Sequence, residues 1–154
     1  MPSELWTFTL DFYAKPGIEQ ACLRLQANGA NVCAVLCGVW LGCEGVSCTH
    51  QRLAQIGQLA TPWHNEVVQP LRVLRTRWKS KAGNDEHLKG LRDQLKGLEL
   101  EAERELLRRL EELTRDWPRR QAFDADAWLK GLTAEAAGDN HDALQLLRVV
   151  AGSA

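Results

Sequence analysis

The sequence predicts an all-α protein, a compact bundle of about six to eight helices that includes one long amphipathic helix near residues 85–116. Three observations carry the prediction. Apolar residues recur at spacings of three and four along nearly the whole chain. No stretch alternates apolar and polar residues as a half-buried strand would. The periodic segments open on Ser, Thr, Asn or Asp and close on Gly or Pro. With 154 residues, 45% hydrophobic and 25% charged, a single domain over 1–154 is expected, able to bury roughly two-thirds of the surface of the unfolded chain.

Taken in order, Ser3 caps a first helix whose stripe is Leu5, Trp6, Phe8, Leu10, Phe12 and Tyr13, and Lys15-Pro16-Gly17 breaks it. Ile18, Cys22 and Leu25 continue at helical spacing to a stop at Asn28-Gly29. Asn31 is placed to cap the apolar run NVCAVLCGVWLGCEG. A helix capped by Ser47 or Thr49 then buries Leu53, Ile56 and Leu59. Thr61-Pro62 predicts a new helix start with proline at its first position, and Pro70 predicts a kink or division further on. After Gly83-Asn84-Asp85, Leu88, Leu91, Leu95, Leu98, Ala102, Leu106, Leu110, Leu113 and Trp117 step by 3, 4, 3, 4, 4, 4, 3 and 4. That average of 3.6 predicts one straight helix of about 32 residues, roughly 48 Å long, packed on the domain rather than free as a coiled coil. Shorter helices around 125–137 and 141–150 complete the chain.

The run Val32 to Cys43 is apolar all round, which marks a buried helix. Its twelve residues fall short of the ~20 needed to cross a bilayer. Cys33 and Cys37, four apart on one face, are expected as small core hydrophobes without metal. The zinc alternative, Cys37, Cys43, Cys48 and His50, has the spacing C-x5-C-x4-C-x-H and lacks a short C-x2-C knuckle. A redox pair lacks C-x-x-C. No phosphate-binding, nucleophile-elbow, zinc-protease or EF-hand motif is present, so neither catalytic residues nor a cofactor are expected. His64, Asp11 and Glu19 are read as structural or surface groups. Nothing at the N-terminus resembles a secretory signal, and five cysteines in a chain read as cytoplasmic do not suggest a disulfide framework.

Charge is informative in its distribution. Residues 1–66 carry three Lys/Arg and five Asp/Glu, residues 85–154 carry eleven and fifteen, and residues 67–84 carry Arg72, Arg75, Arg77, Lys79 and Lys81 with no acid. Arg72, Arg75 and Lys79 share one helical face opposite Leu71, Leu74 and Trp78, and are expected to be exposed. With Arg77, Trp78 and Lys81 they form a candidate partner-binding stripe. The competing assignment pairs the stripe with the acidic second half of the same chain. The Glu/Arg-rich face from Glu99 to Arg115 reads as solvated and laced by i,i+4 pairs such as Glu105 with Arg109 and Glu111 with Arg115.

The segments LWTFTLDFYAKPGIEQACLRLQ, NVCAVLCGVWL and WHNEVVQPLRVLR resemble a family of proteobacterial proteins of about this length that carry a domain of unknown function, DUF2390-like. The resemblance covers about Glu4 to Lys81. It rests on Leu5-Trp6, Tyr13, Cys22-Leu23, Asn31, Trp40 and Pro70-Leu71-Arg72, and it implies no activity, cofactor or catalytic residue. Two readings of function follow from the residues. The first is a non-catalytic interaction protein that binds a macromolecular partner, foremost a protein, through the basic stripe or the long helix, the latter also being an option for homo-oligomerisation. The second is a small-ligand binder or enzyme with a pocket lined by Trp6, Tyr13, Asn31 and Trp40. If Asn31 only caps a helix and Trp40 is wholly packed, that pocket has no lining. Nucleic-acid binding through 72–81, with Trp78 as a stacking platform, is a further alternative.

Overall fold

A computed structural model describes residues 3–120, 123–133 and 141–152. Among these residues the regular elements are all helical. Helix α1 spans Glu4–Tyr13, α2 Ile18–Ala27 and α3 Val32–Cys43. Ser3 Oγ accepts from Trp6 N at 3.1 Å, as expected of the cap. A second cap arrives from far along the chain: Glu111 Oε1 accepts from both Leu5 N and Ser3 Oγ, each at 2.6 Å. A carboxylate on orphan N–H groups at a helix N-terminus is stabilised by both the hydrogen bonds and the macrodipole. Asn28-Gly29 closes α2, with Ala30 N donating to Leu25 O and Gly29 N to Gln26 O. Gly29 has φ +97°, the left-handed conformation that such a closure demands.

Helix α3 is the centre of the molecule. Val35, Leu36 and Val39 enter one apolar cluster with Phe12, Ile18, Leu25, Leu129 and Leu147. Cys33, Cys37, Trp40 and Leu41 enter a second with Leu5, Ile56, Leu106, Leu110 and Trp128. A helix buried on both sides must be apolar all round, which accounts for its composition.

Helix α4 spans His50–Trp63, capped by Thr49. The expected new start at Thr61-Pro62 is not found: α4 runs through Pro62, and a π-helical segment, His64–Val68, leads into α5, Gln69–Arg77. Gln69 N donates to His64 O, five residues back. The wider turn falls just before Pro70, whose ring would otherwise press on the carbonyl four residues earlier. The chain thus spends its irregularity beside the second proline rather than breaking at the first. A single further turn, α6 (Lys79–Ala82), precedes α7, Glu86–Thr114, capped by Asp85.

Helix α7 joins the bundle from Ala102 onward. Trp63 Nε1 donates to Ala102 O at 2.9 Å, and Leu106, Leu107 and Leu110 are buried against α3. Nearer its N-terminus it packs against α5 and α6, forming a helical hairpin. The leucine stripe is therefore not uniformly buried. Leu95, Ala102, Leu106 and Leu110 are, whereas Leu91 and Leu98 are 53% and 57% exposed. Helix α8 (Ala125–Leu132) lies across α3, and α9 (His141–Gly152) lies against α2. The remainder of the helix expected over 125–137 falls outside the described residues.

Candidate interaction surface

Helix α5 turns two of its three arginines, Arg72 and Arg75, toward α7. Arg72 Nε meets Glu99 Oε2 at 3.1 Å, and its Nη2 meets Glu103 Oε1 at 3.4 Å. Arg75 holds the other oxygen of Glu99 through Nε. The Arg72 and Arg75 side chains are 15% and 26% exposed. The expectation that both would be exposed with Lys79 is corrected here. The physical reason is that α5 packs against α7, whose Glu99 and Glu103 lie within reach of both guanidinium groups. Arg92 Nε donates to Arg75 O at 2.9 Å and occupies a carbonyl near the C-terminus of α5. Arg77, Lys79 and Lys81 are exposed, and Trp78 is half-buried between α5 and α6.

The two glutamates differ although they lie one turn apart. Burial alone would raise the pKa of Glu99, but the hydrogen bonds from Arg75 and Arg72 outweigh it and hold the carboxyl below its ordinary value. For Glu103 burial prevails over Arg72, and its pKa is raised. Further along α7, Glu105 takes both Arg108 and Arg109. The expected Glu111–Arg115 pair is replaced by Glu112–Arg115 at 2.7 Å, because Glu111 caps α1. Nor is the arginine face wholly solvated. Arg104 lies 5.0 Å from the Trp6 ring centroid and Arg109 4.0 Å from that of Trp63.

The four residues of the expected pocket lie in different surroundings. Asn31 Oδ1 accepts from Ala34 N at 3.3 Å as a helix cap. Trp40 is 5% exposed, in the cluster with Trp128, under the guanidinium of Arg119. Trp6 packs at the edge of that same cluster and Tyr13 at the edge of the other. Burial, with Cys22 and Glu19 nearby, pushes the Tyr13 hydroxyl up to about 12. Asn31 does border a different space, a groove of about 610 Å³ between α3, α4 and α8 whose polar lining includes Thr61, His64 and Asn65. Burial and Arg72 lower the pKa of His64, which favours the neutral ring.

Cys22, Cys33 and Cys37 are buried, and Cys43 and Cys48 half-buried. Burial pushes the Cys22 and Cys37 thiols up to about 12 and raises Cys33 as well. Among the described residues, no three His, Cys, Asp or Glu side chains are grouped to hold a metal ion, and no helix is long and apolar enough to cross a membrane.

What sequence reasoning missed is the outer face of the hairpin. Lys89-Gly90-Leu91 recurs as Lys96-Gly97-Leu98 seven residues later, and the repeat is visible in the sequence. Both leucines also fit the 3.6-residue stripe, which hides their exposure. Fold and surface together define an all-helical bundle with a helical hairpin extending from it. The sequence profile of the family described as "Protein of unknown function (DUF2390)" matches residues 4–110, and the chain belongs to that family. The match extends past Lys81 into the core-forming part of α7. No curated protein and no solved structure matches the chain.

Proposed function

We propose that the protein is a non-catalytic interaction protein of the cytosol that docks a protein partner on the hairpin formed by α5, α6 and α7. One observation carries the reading. Arg72 and Arg75 are consumed by internal ion pairs, yet Arg77, Lys79 and Lys81 remain exposed beside half-buried Trp78 and, among the described residues, make no ion pair. Clustered exposed cations beside a half-buried tryptophan suit an acidic, partly apolar protein surface. The test replaces Arg77, Lys79 and Lys81 together by Gln and recovers partners from the native cell, with protein and nucleic acid measured in the same eluate. Thermal stability unchanged with the principal protein partner lost is the expected result. Unchanged recovery overturns the reading. Steeply salt-dependent capture of nucleic acid by the unaltered protein supports the nucleic-acid alternative instead.

The groove beside Asn31 supports a second reading, a small-ligand site. Gly57 lines it, and a Cβ there would meet nothing within 4 Å. Gly57→Leu would fill the space. Thermal-shift screening of the unaltered protein against metabolites, with hits abolished by Gly57→Leu, would favour this site. Hits that survive the substitution would count against it.

A further inference from the structure

The groove beside Asn31 changes character along its length. Leu53, Gly57, Thr61 and His64 step by four, four and three residues, so one side of α4 and the start of the π segment make a wall of roughly 16 Å. Asn31 stands at one end of that wall, where its Nδ2 donates to Ala60 O at 3.5 Å. Leu53 marks the other end, against α8: a Cβ on Gly131 would fall 2.5 Å from Leu53 Cδ1. One end of the groove is therefore polar, with Asn31, Thr61, His64 and Asn65, and the other is apolar, with Leu53 and Leu132 beside an exposed His50. Between them lie Ala34, Ala54, Gly57 and Ala60, which offer no side chain beyond Cβ. Among the described residues no Lys, Arg, Asp or Glu lines the groove. Arg72, whose charge reaches His64, is tied to Glu99 and Glu103. His64 and Asn65 belong to the π segment, and single π turns recur at functional sites.

We propose that this groove binds an uncharged, planar nitrogen heterocycle, with its donor–acceptor edge on Thr61, His64 and Asn65 and its apolar body toward Leu53 and Leu132. The proposal rests on the small-ligand reading above and names the ligand class. The pKa of His64 lies below its ordinary value, so at neutral pH the ring is uncharged. A hydroxyl, an amide and a neutral imidazole each donate and accept, which matches an edge that does both, as a lactam or a nucleobase has. A carboxylate or phosphate would give up its hydration for a lining without cations. An aliphatic chain would leave the polar end unpaired. The floor of Ala and Gly gives a flat ring room to lie close, and the space of about 610 Å³ falls within the roughly 300–1,000 Å³ of small-molecule sites.

Titration calorimetry of the full chain with matched probes tests this. Carbostyril and adenine are uncharged rings with a donor–acceptor edge; quinaldate and adenosine monophosphate are their charged counterparts, and octanol is the aliphatic control. Carbostyril or adenine should bind with a Kd below about 1 mM, and its charged counterpart on the order of tenfold more weakly or worse. Gly57→Leu should abolish that binding. Thr61→Val with Asn65→Ala should weaken it by on the order of tenfold at an unchanged melting temperature, since both side chains are exposed. Heterocycle binding that survives Gly57→Leu, or that ignores the edge variant, overturns the inference, as does tighter binding of the charged probes. If only charged probes or octanol bind and Gly57→Leu abolishes them, the inference falls while the small-ligand reading stands. If no probe binds, the inference falls, and the metabolite screen above decides the small-ligand reading by itself.

Discussion

Glu99 and Glu103 lie one turn apart on the same helix and have pKa values shifted in opposite directions, so one substitution chemistry should give opposite results. The pKa of Glu99 is depressed by its two arginines. Its contribution is present in full above the unfolded carboxyl pKa and is lost as pH falls through the folded value. Glu99→Gln leaves Arg72 and Arg75 poorly paired and should cost about 2 kcal/mol at neutral pH, shrinking in acid. Glu103 is raised by burial, so the fold holds its proton more tightly than the unfolded chain, and stability is lost as pH rises through the folded value. Glu103→Gln should therefore be neutral or stabilising at pH 7. Urea unfolding of both variants at acid and neutral pH decides, and equal losses at pH 7 would contradict this account. The cysteines give a second prediction at this scale. Cys22, Cys33 and Cys37 are buried with raised pKa values, so a thiol reagent at pH 8 should modify at most Cys43 and Cys48 before denaturant is added. Rapid reaction at Cys33 or Cys37 would mean that α3 opens. Burial of Cys33 and Cys37 was legible from the apolar helix around them. That the basic stripe could pair with the acidic second half was legible too, and Arg72 and Arg75 do so; which of the five cations pair was not, because the sequence does not say which side of α5 meets α7.

At the scale of elements, periodicity and caps made α1, α2, α3 and α7 readable, since each has a local start and stop signal. The start of α4 at Thr49 was readable as well, but its end was not, because Thr61-Pro62 carries a start signal that the continuing helix overrides, and Pro70 marks an irregularity without saying that it takes the form of a π segment. The contact between α3 and α8 was equally hidden, because small residues allow a close approach without naming the neighbour. Its geometry is specific. A Cβ on Gly42 would lie 2.7 Å from Ala125 Cα and from Asp124 O, both backbone atoms, while one on Gly38 would lie 2.3 Å from Leu132 Cδ1, the end of a partly buried side chain. Backbone cannot swing aside, and a leucine tip can. Gly42→Ala should cost about 2–3 kcal/mol and Gly38→Ala less. Equal costs, measured by chemical denaturation, would show that α8 shifts as a body rather than resisting at one point.

For the whole molecule, the question is whether the residues beyond the family match at 4–110 are an appendage or part of the core. The positions of three side chains argue for the core. Trp128 is fully buried among Trp40, Leu41 and Leu106, with its Nε1 donating to Val46 O at 2.9 Å. Leu129 and Leu147 are fully buried in the other cluster with Val35 and Val39. Helices α8 and α9 thus contribute to both cores, one on each side of α3. Losing a buried tryptophan and two buried leucines costs roughly 3–5 and 2–5 kcal/mol each, a sum comparable to the whole stability of a domain, about 5–15 kcal/mol. A fragment ending at Thr114 keeps α7 and the matched region but strips both clusters and leaves Val39 and Trp40 facing water. It should show no cooperative thermal transition and should aggregate in sedimentation, as should the shorter fragment ending at Lys81, which also loses Leu106 and Leu110. A fragment 1–114 that melts cooperatively as a monomer would mean that α8 and α9 cover a core already complete without them.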